Sequence, residues 1–197
     1  MAGKQAKVLT DAQVRAVLNF LSTTRNPARN RVMFLLSLKA GLRAAEIAGL
    51  TWSMVTDAQG EVAHAIALND TIAKKGHGRT IPMNRELRQA LVDLRDERDT
   101  VGKVRAEAPV VYSERGSGMS AKAMALWFLD LYRRLGFEGC SSHSGRRTFI
   151  TKAAKAVVAA GGSLRDVQEL AGHSSLQTTQ GYIQGDTDAK RKLVDMI

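Results

Sequence analysis

Three features in the last third of the chain carry groups able to bind or attack an anion: His143 with Arg146, His173 within Ala171-Gly172-His173-Ser174-Ser175, and Tyr182 after Thr178-Thr179-Gln180-Gly181. His143 and Arg146 are three apart, so on a helix they project from one face and can touch the same anion. An isolated His-x-x-Arg is nevertheless more often a solvated basic face than a site. An imidazole that follows a helix-ending glycine, as His173 does, is commonly a C-terminal charge partner or a satisfied core group. Tyr182 alone reads as a half-buried aromatic with its hydroxyl at the surface. Earlier in the chain Arg43 and Glu46 stand one helical turn apart, where an exposed ion pair is the ordinary explanation. Each is weak alone; their order and spacing together carry the argument.

The elements that must hold these groups are mostly helical. Thr10 and Gln13 have capping-box spacing ahead of Val14, Val17, Leu18 and Leu21, so a first helix is expected to start near Thr10, with a loose arm before it. A second helix is predicted over Pro27 to Lys39, apolar enough to be largely internal, and Gly41 punctuates its end. A short third helix follows from about Arg43 to Leu50. The period then changes. Val62, His64, Ile66 and Leu68 alternate with alanines, and runs at Asp70 to Lys74 and Arg79 to Pro82 flank Gly76-His77-Gly78, which reads as a small antiparallel sheet with a glycine-rich turn. Helical patterning returns after Asn84, and further helices are expected to begin at Ser120, Ser142 and Ser163. The predicted fold class is mainly α with one small antiparallel β-sheet.

Composition narrows the partners. A chain of 197 residues can bury one substantial core, and 29 Lys and Arg against 19 Asp and Glu leave a formal net charge of +10. That excess makes a polyanion, first of all nucleic acid, the natural partner. The cations are scattered from Lys4 to Lys192 and no long apolar span occurs, so no membrane association is expected. The polar start, Met1 to Lys7, has no apolar stretch behind it, so a cytoplasmic protein is expected. Cys140 alone supports neither an internal disulfide nor a cysteine-rich metal site, and its expected role is a small buried side chain. His64 and His77 lack partners at metal-ligand spacing, and no phosphate-cradling glycine loop is present, so no metal or cofactor is expected.

Gly41-Leu42-Arg43-Ala44-Ala45-Glu46-Ile47, Lys74-Lys75-Gly76-His77-Gly78-Arg79-Thr80-Ile81-Pro82, His143-Ser144-Gly145-Arg146, Leu170-Ala171-Gly172-His173-Ser174-Ser175 and Thr178-Thr179 with Tyr182 occur in that order. Together they resemble the boxes of the tyrosine recombinases, also called phage integrases. The resemblance covers nearly the whole chain, with Leu9-Thr10 similar to the start of that family's catalytic domain. It implies a recombinase-like catalytic domain over residues 9–184, a basic arm over 1–8, and a tail over 185–197 that docks on a neighbouring protomer. It also implies a site-specific recombinase that cleaves and rejoins double-stranded DNA through a 3′-phosphotyrosine, working as a homo-oligomer, a tetramer, on its DNA.

The implied roles match what displacement at a phosphodiester requires. Charge builds on the non-bridging oxygens, which suits the permanently charged forks of Arg43 and Arg146. Tyr182 is the implied nucleophile; its phenol, with an ordinary pKa of about 10, must shed a proton, and His143 or His173 can assist. The departing 5′ oxygen needs a general acid, a job the resemblance gives to the hairpin lysine. Adjacent strand residues face opposite ways, so only one of Lys74 and Lys75 can face the phosphate. Alignment from Arg79 and Pro82 selects Lys74. Glu46 supports Arg43 rather than reacting.

Family members usually carry a further helical domain ahead of the catalytic one. Here only an arm with Lys4 and Lys7 precedes Thr10, so the expectation is either a minimal recombinase or a catalytic fragment of a longer protein. Ser144-Gly145 stands where the family often has an apolar residue before its arginine. Two other functions use the same fold: type IB topoisomerase-like relaxation of DNA, and a non-catalytic DNA-binding or architectural role.

Overall fold

The computed structural model describes residues 5–72, 78–100, 104–182 and 194–195. Helix α1 (Asp11–Ser22) starts at a reciprocal cap: the Gln13 N–H donates to Thr10 Oγ1 and the Thr10 N–H to Gln13 Oε1, at 3.2 and 3.0 Å. Helix α2 (Pro27–Lys39) opens on a proline, whose missing N–H has no partner to lose at that position. It buries Val32, Met33, Phe34, Leu35, Leu36 and Leu38, so it is the internal helix expected. Around it pack α1, α4 (Arg85–Asp99) and α6 (Ser144–Ala156), while α5 (Ala121–Arg134) covers α3 (Ala44–Gly49). Two short helices, α7 (Leu164–Ala171) and α8 (Leu176–Gln180), follow, and α7 touches α6 and the sheet. Among the described residues no helix is long and apolar enough to cross a membrane.

Strands β1 (Ala65–Leu68) and β2 (Arg79–Pro82) pair antiparallel, with Ile66 opposite Ile81 and Leu68 opposite Arg79. Ile66, Leu68 and Ile81 are buried, so the period-two pattern turns one face of the pair onto the core. The run expected from Asp70 to Lys74 is not extended at its start. Asp70 to Ile72 form a turn, because Asn69 Oδ1 accepts from both Thr71 Oγ1 and the Ile72 N–H and curls the chain locally. Lys74 and its neighbour Lys75 lie outside the described residues, and of the expected tail only Val194 and Asp195 are described.

Two further expectations shift. The described residues before Thr10, 5–9, are tied down rather than loose: the Lys7 N–H donates to Gly139 O at 3.1 Å, and the N–H of buried Leu9 donates to Thr148 Oγ1 at 2.8 Å. Helix α6 begins at Ser144, not Ser142, because a turn intervenes in which the Ser144 N–H donates to Ser141 O and Ser144 Oγ accepts from the Ser141 N–H. His143 becomes the N-cap residue. Cys140 is buried, as expected.

The core is divided. A large cluster runs through α1 to α5 and the sheet, and a small one joins Ile150 of α6 to Val167 and Ala171 of α7, with Phe149, Val157 and Tyr182 packed against it. The candidate site lies where α6 and α7, which carry the small cluster, meet the larger core.

Candidate active site

Helix α7 ends on Gly172 in the left-handed conformation, with φ +60°. A β-carbon there would lie 2.8 Å from Arg79 Nη1, so a larger residue would strain the backbone angle and push the Arg79 guanidinium aside. The three carbonyls at this helix end each accept from a different arginine. Arg79 Nε donates to Leu170 O at 3.1 Å, Arg146 Nη2 to Ala171 O at 2.6 Å, and Arg43 Nη2 to Gly172 O at 3.2 Å. A helix C-terminus carries partial negative charge and unpaired carbonyls, so it gathers three guanidiniums that would otherwise repel one another.

Each arginine has a second anchor. Arg146, 3 % exposed, also donates through Nη1 to Gly41 O. Gly41 has φ +65°, and a β-carbon there would overlap the Phe149 ring at 2.4 Å. Arg43 and Arg79 meet on Glu46, which is 1 % exposed. Arg43 Nη1 donates to Oε1 at 2.8 Å and the Arg43 N–H to Oε2 at 2.8 Å; Arg79 Nη1 and Nη2 donate to Oε1 and Oε2 at 3.0 and 3.1 Å. Burial pushes the Glu46 carboxyl up, but the Arg79 bonds and charge, with those of Arg43, outweigh it and hold the group below the ordinary carboxylate value. Burial, and then the charge of Arg43, lower Arg146 to about 10, which leaves it charged at neutral pH.

His173 follows the glycine. Its N–H donates to Gln168 O and its carbonyl accepts from Gln168 Nε2, a pair of bonds that fixes the chain as it leaves α7. The imidazole Nδ1 lies 2.9 Å from the hydroxyl of buried Thr179, and the ring stacks on Tyr182. Burial and the neighbouring Arg146, Arg43 and Arg79 lower its pKa to about 4, so the imidazole is neutral at physiological pH. Arg147 sits over the Tyr182 ring, with Cζ 5.7 Å from the centroid, within cation–π range. A cleft of about 760 Å³, lined by Arg43, Arg79, Gln168, His173, Ser174 and Thr178, opens beside these groups.

Of the residues singled out in the sequence, Arg43, Glu46, Arg146, His173 and Tyr182 converge here. His143 stands exposed at the head of α6, one turn before Arg146, and Lys74 is outside the described residues. The exposed ion pair that Arg43 and Glu46 offered as an ordinary explanation does not occur, because Arg79 reaches Glu46 from the sheet and buries it. Arg79 and Thr179 lie within the sequence motifs, which assign them no role. For Arg79 a signal existed: it shares a strand face with Ile81, which is buried, so alternation points it inward.

Residues 7–188 match the model of the phage integrase family. The chain belongs to that family. Family relatives include the tyrosine recombinase XerC of Pelobacter propionicus, 28% identical over 168 residues that make up 85% of this chain and 51% of that protein. XerC of Corynebacterium efficiens is 31% identical over 154 residues, 78% of this chain and 46% of that one. The chain thus spans about half the length of the relatives it matches. The crystal structure of XerA recombinase superposes with a TM-score of 0.71 at 25% identity, over 96% of this chain and 64% of that one. XerH site-specific recombinase bound to a palindromic difH substrate, in a post-cleavage complex, superposes at 0.74 with 19% identity, over 98% of this chain and 53% of that one. The mainly helical fold with a small antiparallel sheet, expected from the sequence, is shared with these phage integrase family structures.

Proposed function

We propose that this chain is the catalytic part of a site-specific DNA recombinase that breaks and rejoins strands through Tyr182. The supporting observation is the pairing of Arg43 and Arg146 on the adjacent carbonyls Gly172 and Ala171, next to a His173 ring stacked on Tyr182. In this reading Tyr182 Oη attacks a backbone phosphorus, its proton passes to His143, and the bond to the 5′ oxygen breaks. Lys74 protonates that leaving oxygen, and the phosphate stays on Tyr182 as a 3′-phosphodiester. Attack by a free 5′ hydroxyl reverses the steps and rejoins the strand.

The arginines neutralise charge gathering on the non-bridging oxygens. Because the helix end and Glu46 hold them before the substrate arrives, little reorganisation accompanies the reaction, and loss of either guanidinium is expected to cost about a hundred- to a thousandfold in rate. In this reading the Thr179 hydroxyl, 2.9 Å from Nδ1, is the donor of that bond, so the neutral imidazole keeps its hydrogen on Nε2 and donates it to a non-bridging oxygen. The partner is double-stranded DNA, attracted by the net charge of +10, in the cytoplasm, and strand exchange takes place in a homotetramer on the DNA. The test is to present the protein with a pool of nicked duplexes carrying randomised flanking sequence, in which the short fragment bearing the released 5′ hydroxyl diffuses away and so traps the covalent adduct. Wild-type protein is expected to yield SDS-resistant adducts of defined sequence. Failure to trap any, or equal yield from Tyr182→Phe, contradicts the proposal.

A further inference from the structure

We infer that Arg79 is a positioning residue for Arg43, acting through the Glu46 carboxylate that both guanidiniums share. The inference rests on the reading of Arg43 as a phosphate-binding arginine. A carboxylate offers about four acceptor sites, two on each oxygen. All are used here: Oε1 accepts from Arg43 Nη1 and Arg79 Nη1, and Oε2 accepts from the Arg43 backbone N–H and Arg79 Nη2.

The division of those sites decides what Arg43 can do. An arginine left alone with a buried carboxylate pairs bidentately, two N–H groups against two oxygens, because that geometry is the strongest available. Arg79 already forms that fork on Glu46. Arg43 is limited to a single side-chain bond there, and its Nη2 turns to Gly172 O instead. Its other side-chain N–H groups make no hydrogen bond among the described residues, and its side chain is 20 % exposed where that of Arg79 is 10 %. Arg79 therefore satisfies the carboxylate and leaves Arg43 presented to the cleft. The local charge count agrees: Arg43, Arg79 and Arg146 outnumber Glu46 three to one, a surplus suited to an anionic substrate.

Arg79 is itself held by both the sheet and α7. Its Nε donates to Leu170 O of α7, its backbone opens β2, and the preceding Gly78 N–H donates to Asp70 Oδ1 at 2.7 Å. A β-carbon on Gly78 would lie 2.5 Å from Leu68 O, so the strand start is pressed closely against β1. The position of the Arg79 fork is thereby set by the sheet and transmitted to Arg43 through one rigid carboxylate.

The experiment compares two nicked duplexes of the sequence that wild-type protein selects from the randomised pool. One carries the natural scissile phosphate and the other an uncharged methylphosphonate in its place. An arginine that neutralises a non-bridging oxygen matters less when that charge is absent. Arg79→Gln is expected to slow single-turnover cleavage of the natural phosphate roughly a hundredfold, while its deficit on the methylphosphonate is about tenfold or less, following the pattern of Arg43→Gln. Arg79→Lys keeps the charge but cannot fork, and should show the same contrast in smaller measure. Equal deficits on both substrates, in whichever of these variants retains the wild-type melting transition, would overturn the inference in favour of a purely structural Arg79. So would cleavage by Arg79→Gln at the wild-type rate. Absence of an adduct with wild-type protein instead removes the underlying reading, so the two failures are distinct.

Discussion

The His173 imidazole lies almost parallel to the Tyr182 ring, with centroids 5.4 Å apart and 24° between the planes. Thr179 holds the imidazole from its Nδ1 side at 2.9 Å, and the Tyr182 N–H donates to the Thr179 carbonyl at 3.0 Å. One buried threonine therefore sets both the tilt of the histidine and the start of the tyrosine's own residue. Thr179→Val removes the hydroxyl and keeps the shape. It is expected to cost about 1 kcal/mol of stability, the usual worth of one such bond, and to slow adduct formation about tenfold, whereas Thr179→Ser retains the rate. Urea melts and single-turnover cleavage of the trapped duplex measure both; an unchanged rate for the valine variant would remove Thr179 from the account.

The lowered pKa of His173 also makes a statement about stability. An unfolded histidine takes up its proton near pH 6.5, while folded His173 stays neutral down to about 4. Its contribution is complete above pH 6.5 and is lost as the pH falls through about 4. Glu46 acts in the same direction, since its carboxyl is held below the ordinary 4.5, so its contribution is present above that value and lost as the pH falls through the lowered one. The urea midpoint of wild-type protein should therefore fall more steeply between pH 6.5 and 4 than that of His173→Gln. Parallel curves would show that His173 is not held neutral.

Glu46→Gln tests the buried ion cluster as a whole. It leaves two guanidiniums facing each other without their shared counter-charge, and removing one member of a buried pair costs about 3 kcal/mol or more. The variant is expected to melt at a lower temperature and to form adduct at least tenfold more slowly, because Arg43 loses its main tether. A melting temperature equal to wild type would mean the cluster is solvent-screened rather than buried.

Gly41 tests the backbone that anchors Arg146. Gly41→Ala places a methyl against Phe149 at a backbone angle of φ +65° that alanine disfavours, and displaces the carbonyl that Arg146 Nη1 uses. About 2 kcal/mol of destabilisation is expected from the strained angle and the crowding together. Cleavage should fall further than stability alone explains, at temperatures where the variant is fully folded. Normal cleavage by folded Gly41→Ala would uncouple this turn from Arg146.

Much of this arrangement is legible in the amino-acid sequence. The capping pair Thr10 and Gln13, Pro27 at a helix start, and the caps Asn84, Ser120 and Ser163 are local signals, and the helices begin where they indicate. Arg43, Arg146, His173 and Tyr182 stand out in the sequence through the family resemblance that their order and spacing carry. What could not be read was pairing across long separations. An Arg-x-x-Glu spacing is the same whether the pair is solvated or buried, and only the approach of Arg79 from the sheet, 33 residues away, decides it. Likewise the docking of Lys7 on Gly139 leaves no local pattern, since a backbone bond does not depend on side-chain type. The run expected from Asp70 is not extended at its described start, Asp70 to Ile72, because Asn69 offers the backbone a nearer acceptor than any ladder.

The chain has three tyrosines; Tyr112 is buried against Arg29 and Arg98, and Tyr132 is buried between Phe128 and Phe137. Mass spectrometry of the trapped protein–DNA adduct, after digestion of both components, therefore tests the central claim most directly. The expected result is a nucleotide joined through its 3′ phosphate to Tyr182 alone, with none recovered from Tyr182→Phe. A nucleotide on any other residue, or an undiminished adduct from Tyr182→Phe, would contradict it.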